Sequence, residues 1–214
     1  VISVNRENCN NPVTVGQPIP GLQIRLGDME ELQVKGPTVM KGYWKRPDAT
    51  AEVFTEDGWF KTGDQADLSD AGRIRIKGRI KEIIVTSTGE KIPPTDMELA
   101  IQTDPLFEQV MVVGEARPFI TALAVVNEAE WEKFAKEFNV DPTDERMLMR
   151  RDIRMAALKR LKKAASRFPQ YGIPRNIRLL KEHWTVDNGC LTVTMKLRRP
   201  IIREKLRAEI DELY

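Results

Sequence analysis

Two nearly continuous apolar runs constrain this 214-residue chain more than any other feature. They lie at 110–114 and 121–126 and are separated by a short connection that contains Pro118. Runs of this length are typical of strands buried in a sheet, and they fall far short of the roughly 18 apolar residues of a membrane-spanning helix. We therefore predict a sheet with at least one well-covered face and no helix that crosses a bilayer.

The residues after position 80 combine such strands with helices. Apolar residues recur at helical spacing at 95–103, 128–138 and 145–168, a last helix begins at Pro200 and runs to about 212, and a further strand fits 176–180. Thr95 and Glu98 have the spacing of a capping box, in which two side chains satisfy backbone N–H groups at a helix N-terminus. The pattern predicts a short sheet flanked by helices.

Residues 13–80 have a different texture. Apolar and polar side chains alternate at 22–26, 31–35 and 74–77, turn signals separate these segments, and one short helix fits 47–54. Such alternation is typical of strands with one buried face. We predict an α+β fold, with a small antiparallel β subdomain at 1–80 followed by a C-terminal α+β domain at 81–214.

The chain is poor in metal-binding and nucleophilic side chains. It has two cysteines, Cys9 and Cys190, which we expect to be buried or incidental, and one histidine, His183. This set cannot form a Cys/His zinc site or a disulfide framework, so we predict no metal site. His183 would also be the sole base available to a Ser or Cys hydrolase, which makes that class of enzyme a poor fit. With so few cysteines, a reduced, cytoplasmic setting is the default expectation.

Charge is unevenly distributed, although the net charge is only +2. Residues 1–144 carry a net charge of −8 and residues 145–214 one of +10. The basic end could face an anionic membrane, a phosphorylated small molecule or only solvent. Aromatic side chains are sparse around 146–167, so we expect no nucleic-acid surface and retain a peripheral membrane contact as an alternative.

Three segments combine glycines, charges and apolar residues in a constrained way. The first is Gly-Trp-Phe-Lys-Thr-Gly-Asp at 58–64, where Asp64, if held at a strand end, suits the vicinal hydroxyls of a ribose. The second, at 78–92, has Arg79 and Lys81 at the domain boundary and then a small-residue loop. The third is Leu-Thr-Val-Thr-Met-Lys-Leu-Arg-Arg at 191–199, where Lys196 is a compact charge for a phosphate or carboxylate. Each segment alone also fits an ordinary surface turn.

Together, and in this order, the segments resemble the adenylate-forming superfamily, specifically acyl-CoA synthetases of the long-chain fatty acid type. The resemblance extends to 15–21 and to Gly-Pro-Thr-Val-Met-Lys-Gly-Tyr-Trp at 36–44, and so covers nearly the whole chain. It implies that 1–80 is the last β subdomain of a large domain and that 81–214 is a mobile lid with its hinge at Lys81.

The resemblance also implies a role for each matched residue. Asp64 would hold the ribose hydroxyls of ATP and of the acyl-adenylate, and Arg79 would contact the same nucleotide. Lys196 would be the catalytic lysine that bridges the fatty acid carboxylate and the nucleotide. The loop that lines the pantetheine tunnel of CoA matches Thr86, Ser87, Thr88 and Gly89.

The implied reaction has two steps. ATP and a fatty acid, with Mg²⁺, give acyl-AMP and pyrophosphate, and the CoA thiol then displaces AMP. The chain departs from relatives at Val193, where many have Pro, and in the CoA loop, which is one residue longer than a common Ser-Gly-Gly-Glu form. The phosphate loop, adenine segment and fatty acid tunnel of relatives lie upstream of the matched region. The chain also begins without Met or a signal-peptide plan, so we expect a piece of a longer enzyme that lacks its N-terminal domain and is inactive alone.

Two alternatives stay open. The acid-binding residues of relatives lie upstream, so a ligase for another carboxylic acid, such as an aryl or amino acid, fits the same motifs. The basic helix would also suit a non-catalytic module that binds anionic lipid.

Overall fold

Two separately packed units make up the chain, Val1–Ile83 and Ile84–Tyr214. The computed structural model describes all 214 residues except for the side chain of Cys9, so the expectation for that thiol lies outside the described part. The assignment of 1–80 to a β subdomain and of 81–214 to a mobile lid stays a prediction.

Antiparallel strands form the first unit. Its elements are β1 (Ser3–Val4), β2 (Gln17–Pro18), β3 (Gln23–Leu26), β4 (Glu31–Lys35), helix α1 (Pro47–Val53), β5 (Phe60–Asp67) and β6 (Arg75–Arg79). Strands β3 to β6 form one antiparallel sheet in chain order, and β1 pairs with β2. A small core of Leu32, Val34, Ala66 and Ile74 lies against this sheet. The alternation in the sequence thus has its expected cause, one buried face.

Strand β5 is longer than the sequence pattern indicates. Residues 60–67 form one strand of eight residues, and Asp64 lies inside it, so its placement at a strand end is wrong. The strand is polar through Lys-Thr-Gly-Asp-Gln, which conceals the alternation. It forms because β4 and β6 pair with it on both sides, with register shifts that mark irregular pairing on each side.

A three-stranded sheet lies at the centre of the second unit. Its elements are β7 (Ile84–Val85), β8 (Lys91–Ile92), α2 (Pro94–Ile101), β9 (Phe107–Val113), β10 (Thr121–Val126), α3 (Glu128–Glu137), α4 (Arg151–Ala164), β11 (Ile177–Leu180), α5 (Arg199–Lys205) and α6 (Arg207–Asp211). Strand β10 is central, antiparallel to β9 and parallel to β11, while β7 and β8 form a separate hairpin. The α+β fold class is confirmed.

Every residue of β10 is buried because the sheet is covered on both faces. Ala122 and Ala124 belong to a core that also contains the apolar residues of α2, α3 and α4. Leu123 and Val125 belong to a second core, formed with the C-terminal segment and including Trp184 and the buried thiol of Cys190. Burial on two faces explains why this strand is apolar at every position except Thr121, rather than alternating.

The predicted capping box at Thr95 and Glu98 is wrong. Helix α2 begins at Pro94 and no side chain caps it. Glu98 is instead buried, and its Oε1 accepts a hydrogen bond of 2.8 Å from the backbone N–H of Val112 on β9. The same carboxylate accepts two hydrogen bonds from Arg199, with N–O distances of 2.7 and 2.6 Å. Glu98 therefore connects α2, β9 and the start of α5.

Two long helices of the sequence analysis are interrupted in the structure. Residues 145–168 form a 3-10 turn at Glu145–Met149 and then α4, with Arg150 in an extended conformation between them. Leu148 and Ile153 would lie about 140° apart on one continuous helix, and the interruption allows both to be buried. The last helix is likewise divided into α5 and α6 at Leu206.

A second ion pair joins α4 to the turn that follows α2. The Arg160 guanidinium donates to both carboxylate oxygens of Asp104, over 2.9 and 2.5 Å. Burial raises the pKa of the Asp104 carboxyl, but the hydrogen bonds from Arg160 and from the backbone N–H of Leu106 outweigh this, and the pKa lies below its ordinary value of 3.8. The pair therefore favours the ionised carboxylate in the folded state.

We expect Glu98→Gln to destabilise the second unit by about 3 to 5 kcal/mol, because it removes the carboxylate charge that accepts two hydrogen bonds from the largely buried Arg199 guanidinium. Urea unfolding, monitored by hydrogen exchange in peptides from residues 84–214, measures the loss in the free energy of unfolding. The matched control is Glu132→Gln on the exposed side of α3, with an expected change below about 0.5 kcal/mol. Equal stability of the two variants would contradict a structural role for the pair.

We expect Asp104→Asn to remove part of the acid sensitivity of the second unit. A carboxyl whose pKa is lowered by folding contributes its full stabilisation above about pH 4, the pKa of the unfolded chain, and loses it as the pH falls through the lower folded-state pKa. The variant should therefore be less stable than the parent by roughly 1 to 2 kcal/mol at pH 7 and by less at pH 3. Urea unfolding at both pH values, with the exposed Asp187→Asn as control, tests this; a constant difference would refute it.

Candidate functional site

Asp64 and Arg79 lie opposite each other on neighbouring antiparallel strands. They are register partners on β5 and β6, and Nε of Arg79 lies 3.1 Å from Oδ1 of Asp64. The Arg79 side chain is about half exposed and that of Asp64 is more buried. The structure thus brings together the two residues that the sequence analysis assigns to the nucleotide, as a carboxylate beside a cation on one sheet face.

Side chains that the sequence analysis did not single out fix the backbone around Asp64. The hydroxyl of Thr62 donates to the carbonyl of Leu32 over 2.8 Å and accepts from the backbone N–H of Asp64 over 3.1 Å. The backbone N–H of Gly63 donates to Oε1 of Glu31, and Nη1 of Arg79 donates to the carbonyl of Thr62. Gly63 has a φ of +73°, a conformation that favours glycine. In the sequence, the Thr-Gly-Asp stretch at 62–64 was the signal from which these contacts could have been predicted.

Lys81 lies in a short 3-10 turn, Ile80–Glu82, at the end of the first unit. The residue is exposed, and the unit boundary follows at Ile83. Lys81 thus lies two residues before the unit boundary, and its role as a hinge stays a prediction.

The proposed CoA loop connects β7 to β8. Thr86 is buried, whereas Ser87, Thr88 and Gly89 are exposed. The backbone N–H of Ser87 donates to the carbonyl of Arg117 over 2.9 Å, so the loop is attached to the neighbouring connection between β9 and β10. The loop presents small side chains and a glycine with a φ of +83° to solvent.

Lys196 lies on a short exposed loop that precedes α5. Leu191 and Leu197 pair across its base and contribute to the second core, one buried and the other partly buried. Between them, the side chains of Val193 and Met195 are 86% and 68% exposed. Lys196 is exposed too, and among the described side chains no carboxylate lies within 4 Å of its Nζ. Its ammonium is therefore available to an anionic ligand.

The largely buried ion pair of Arg199 with Glu98 holds the chain three residues after Lys196. Cys190 accepts a backbone hydrogen bond of 2.8 Å from Arg198 on the other side of the loop. Both ends of the loop at 192–196 are thereby fixed to the core, although the loop itself is exposed. Within the described residues, no hydrogen bond or ion pair joins this loop to residues 86–90.

The described residues contain no preformed cluster of metal ligands. No group of three or more His, Cys, Asp or Glu side chains among those described could hold a metal ion. We assign no residue to Mg²⁺ and derive no step through it.

The basic helix α4 uses part of its charge within the second unit. Arg160 pairs with Asp104, Arg154 donates to the side chain of Asn176, and Arg150, just before the helix, pairs with Asp152. Its exposed cations without such pairs are Arg151, Lys159, Lys162 and Lys163. In the structure, no helix has the length and apolar character needed to cross a membrane. A peripheral membrane contact stays a prediction.

Comparisons with known proteins agree on one family. Residues 81–214 match the family model of the AMP-binding enzyme C-terminal domain. The chain is 38% identical over 209 residues to long-chain-fatty-acid–CoA ligase FadD15 of Mycobacterium tuberculosis, covering 94% of this chain and 34% of that protein. It is 31% identical over 235 residues to the Arabidopsis thaliana long-chain-fatty-acid–[acyl-carrier-protein] ligase AEE15, covering 100% of this chain and 31% of that protein.

Solved structures give the same result. The A domain of carboxylic acid reductase from Segniliparus rugosus, in complex with AMP and a co-purified carboxylic acid, matches with a TM-score of 0.72 and 26% identity, covering 94% of this chain and 32% of that one. The chain thus spans about a third of the length of the relatives it matches. The resemblance to adenylate-forming enzymes is confirmed, and the chain belongs to the family of the AMP-binding enzyme C-terminal domain.

Proposed function

We propose that this chain is the C-terminal part of an ATP-dependent long-chain fatty acid CoA ligase. Its relatives include long-chain fatty acid ligases, and it carries the nucleotide, hinge, CoA and lysine segments in one chain. The remainder of the enzyme would supply the fatty acid tunnel and the other nucleotide contacts. On this proposal, the chain alone does not catalyse the reaction.

The observation that carries the proposal is the availability of Lys196. A cation on an exposed loop with fixed ends can approach two anions that repel each other, the fatty acid carboxylate and the α-phosphate of ATP. In adenylation, a carboxylate oxygen bonds to the α-phosphorus and the bond to pyrophosphate breaks. The Lys196 ammonium would stabilise the charge that builds up on the phosphoryl oxygens in the transition state.

Asp64 and Arg79 would hold the nucleotide in both steps. The carboxylate of Asp64 accepts hydrogen bonds and so suits the two ribose hydroxyls, which are donors. Arg79, already 3.1 Å from that carboxylate, would orient Asp64 while its remaining N–H groups contact the nucleotide. Both residues lie on paired strands, which limits their movement.

The exposed loop at 86–89 would serve the second step. The sulfur of CoA bonds to the acyl carbon, the bond between that carbon and the phosphate oxygen of AMP breaks, and the thiol proton passes to solvent. Small residues and Gly89 allow the pantetheine chain to approach the backbone closely. Lys81 would be the hinge about which the second unit turns between the two steps.

A second candidate differs in the thiol that accepts the acyl group. The relative AEE15 is an acyl-carrier-protein ligase, and it is 31% identical to this chain. A carrier protein ends in the same pantetheine thiol as CoA, so the loop at 86–89 fits either acceptor. The choice between them is decided by assay.

We expect Lys196→Ala in the complete ligase to lower palmitate-dependent ATP–pyrophosphate exchange by about 100-fold or more, because it removes the positive charge that stabilises the phosphoryl oxygens in the transition state. Thioester formation from supplied palmitoyl-AMP should stay within about threefold of the parent. The matched control is Lys162→Ala on the exposed face of α4, which should leave both rates unchanged. Full exchange in Lys196→Ala would disprove the role of Lys196.

We expect the complete ligase to transfer palmitate from supplied palmitoyl-AMP to CoA faster than to a phosphopantetheine-carrying acyl carrier protein. The measurement is kcat/KM for each thiol, and a tenfold preference corresponds to about 1.4 kcal/mol in transition-state binding. A tenfold preference for the carrier protein would instead support the second candidate, an acyl-carrier-protein ligase.

The acid substrate is tested separately. Benzoate and phenylalanine replace palmitate in the exchange assay, and exchange with either one would support a ligase for another carboxylic acid.

A further inference from the structure

Two loops of the second unit have the same internal hydrogen bonds, although the sequence shows no repeat. The loops are 86–90, Thr-Ser-Thr-Gly-Glu, and 192–196, Thr-Val-Thr-Met-Lys. The first connects β7 to β8, and the second precedes α5. We name them the CoA loop and the lysine loop.

The first residue of the CoA loop makes four hydrogen bonds within it. The backbone N–H of Thr86 donates to the carbonyl of Glu90 over 3.0 Å, and the carbonyl of Thr86 accepts from Gly89 over 3.0 Å. The Thr86 hydroxyl accepts from the backbone N–H of Glu90 over 3.1 Å and shares a hydrogen bond of 2.8 Å with the hydroxyl of Thr88. One residue therefore fixes the beginning, middle and end of the loop, through its backbone and its hydroxyl together.

Thr192 makes the same four bonds in the lysine loop. Its backbone N–H donates to the carbonyl of Lys196 over 2.9 Å, and its carbonyl accepts from Met195 over 2.8 Å. Its hydroxyl accepts from the backbone N–H of Lys196 over 3.1 Å and shares a hydrogen bond of 3.0 Å with the hydroxyl of Thr194. The fourth residue of each loop has a positive φ, +83° at Gly89 and +60° at Met195.

The chain continues in the same way on both sides of each loop. Val85 pairs with Lys91 across the base of the CoA loop, and Leu191 pairs with Leu197 across the base of the lysine loop. Each pair spans six positions. The loops differ at the fifth residue, which is Glu90 in one and Lys196 in the other, so one backbone turn presents opposite charges.

We propose that Thr86 and Thr192 are equivalent positioning residues, and that each sets the geometry of one loop and thereby one of the two half-reactions. The inference rests on the proposed function, since it takes the lysine loop for adenylation and the CoA loop for thioester formation. Thr192 acts through Lys196, because its hydroxyl holds the backbone nitrogen of that residue. Thr86 acts through the exposed backbone of residues 87–89, along which the pantetheine chain would lie.

The hydroxyl matters because each loop is short and largely exposed. Without it, the backbone N–H of the fifth residue loses its partner inside the loop and bonds to water, and the turn has alternative conformations of similar energy. A displacement of a catalytic group by about 1 Å costs about 100-fold in rate. Valine has nearly the shape of threonine but lacks the hydroxyl, and serine keeps the hydroxyl, so the two substitutions separate shape from hydrogen bonding.

The test measures both half-reactions of the complete ligase in the variants Thr192→Val, Thr192→Ser, Thr86→Val and Thr86→Ser. We expect Thr192→Val to lower palmitate-dependent ATP–pyrophosphate exchange by about 10- to 100-fold while thioester formation from supplied palmitoyl-AMP stays within about threefold. Thr86→Val should show the reverse. Each serine variant should recover most of the lost rate. The control is Thr143→Val, which removes an exposed, hydrogen-bonded threonine hydroxyl outside both loops and should change neither rate.

Two results would overturn the inference. If both valine variants lower the two rates together and also lower the midpoint of thermal unfolding, the threonines contribute only general stability. If Thr192→Val keeps full exchange while Lys196→Ala loses it, Thr192 does not position Lys196, and the proposed function stands. Full exchange in Lys196→Ala would instead count against the proposed function. If a valine variant does not fold, the alanine variant replaces it, and failure of both to fold also overturns the positioning role.

Discussion

The largely buried ion pair between Glu98 and Arg199 fixes the place at which the C-terminal segment begins its last helices. The carboxylate is matched on both oxygens by the guanidinium, and it also accepts from the backbone N–H of Val112, so the large desolvation cost is offset by three hydrogen bonds. Because Arg199 follows Lys196 by three residues, an interior contact determines where an exposed catalytic candidate lies. The position of Lys196 is therefore a property of the whole unit.

Coverage of the sheet on both faces has a further consequence for function. Since β10 is buried throughout and two cores lie against its sides, the sheet interior offers no surface to a ligand. The chemistry proposed for this unit therefore falls to exposed connections between its elements. The CoA loop and the lysine loop have this arrangement, each closed at its base by a residue pair, Val85 with Lys91 in one and Leu191 with Leu197 in the other.

The sequence predicted those features that depend on local pattern and missed those that depend on distant partners. The apolar runs, the alternating strands and the helix at 128–138 are local signals, and their elements were confirmed. Glu98 was assigned to a capping box because Thr95 lies three residues before it, but its partner Arg199 lies 101 positions away. Asp64 lies inside a strand for the same reason, since pairing with β4 and β6 extends β5 through a polar stretch. The pairing of Asp64 with Arg79 follows from strand register, which no local pattern encodes.

The shared turn of the two loops explains how one unit could serve two chemical steps. Each loop is shaped by hydrogen bonds among its own five residues and, in the CoA loop, by one bond from Ser87 to Arg117 of the same unit, so its geometry does not depend on what surrounds its exposed side. A loop of this kind keeps its shape when the unit that carries it moves as a body, whereas a loop shaped by contacts with another domain would have to refold at each step. The rotation proposed about Lys81 requires loops that keep their own shape. Both loops share one backbone turn. They differ in chemistry because of the residue at the fifth position and because of the small residues at 87–89.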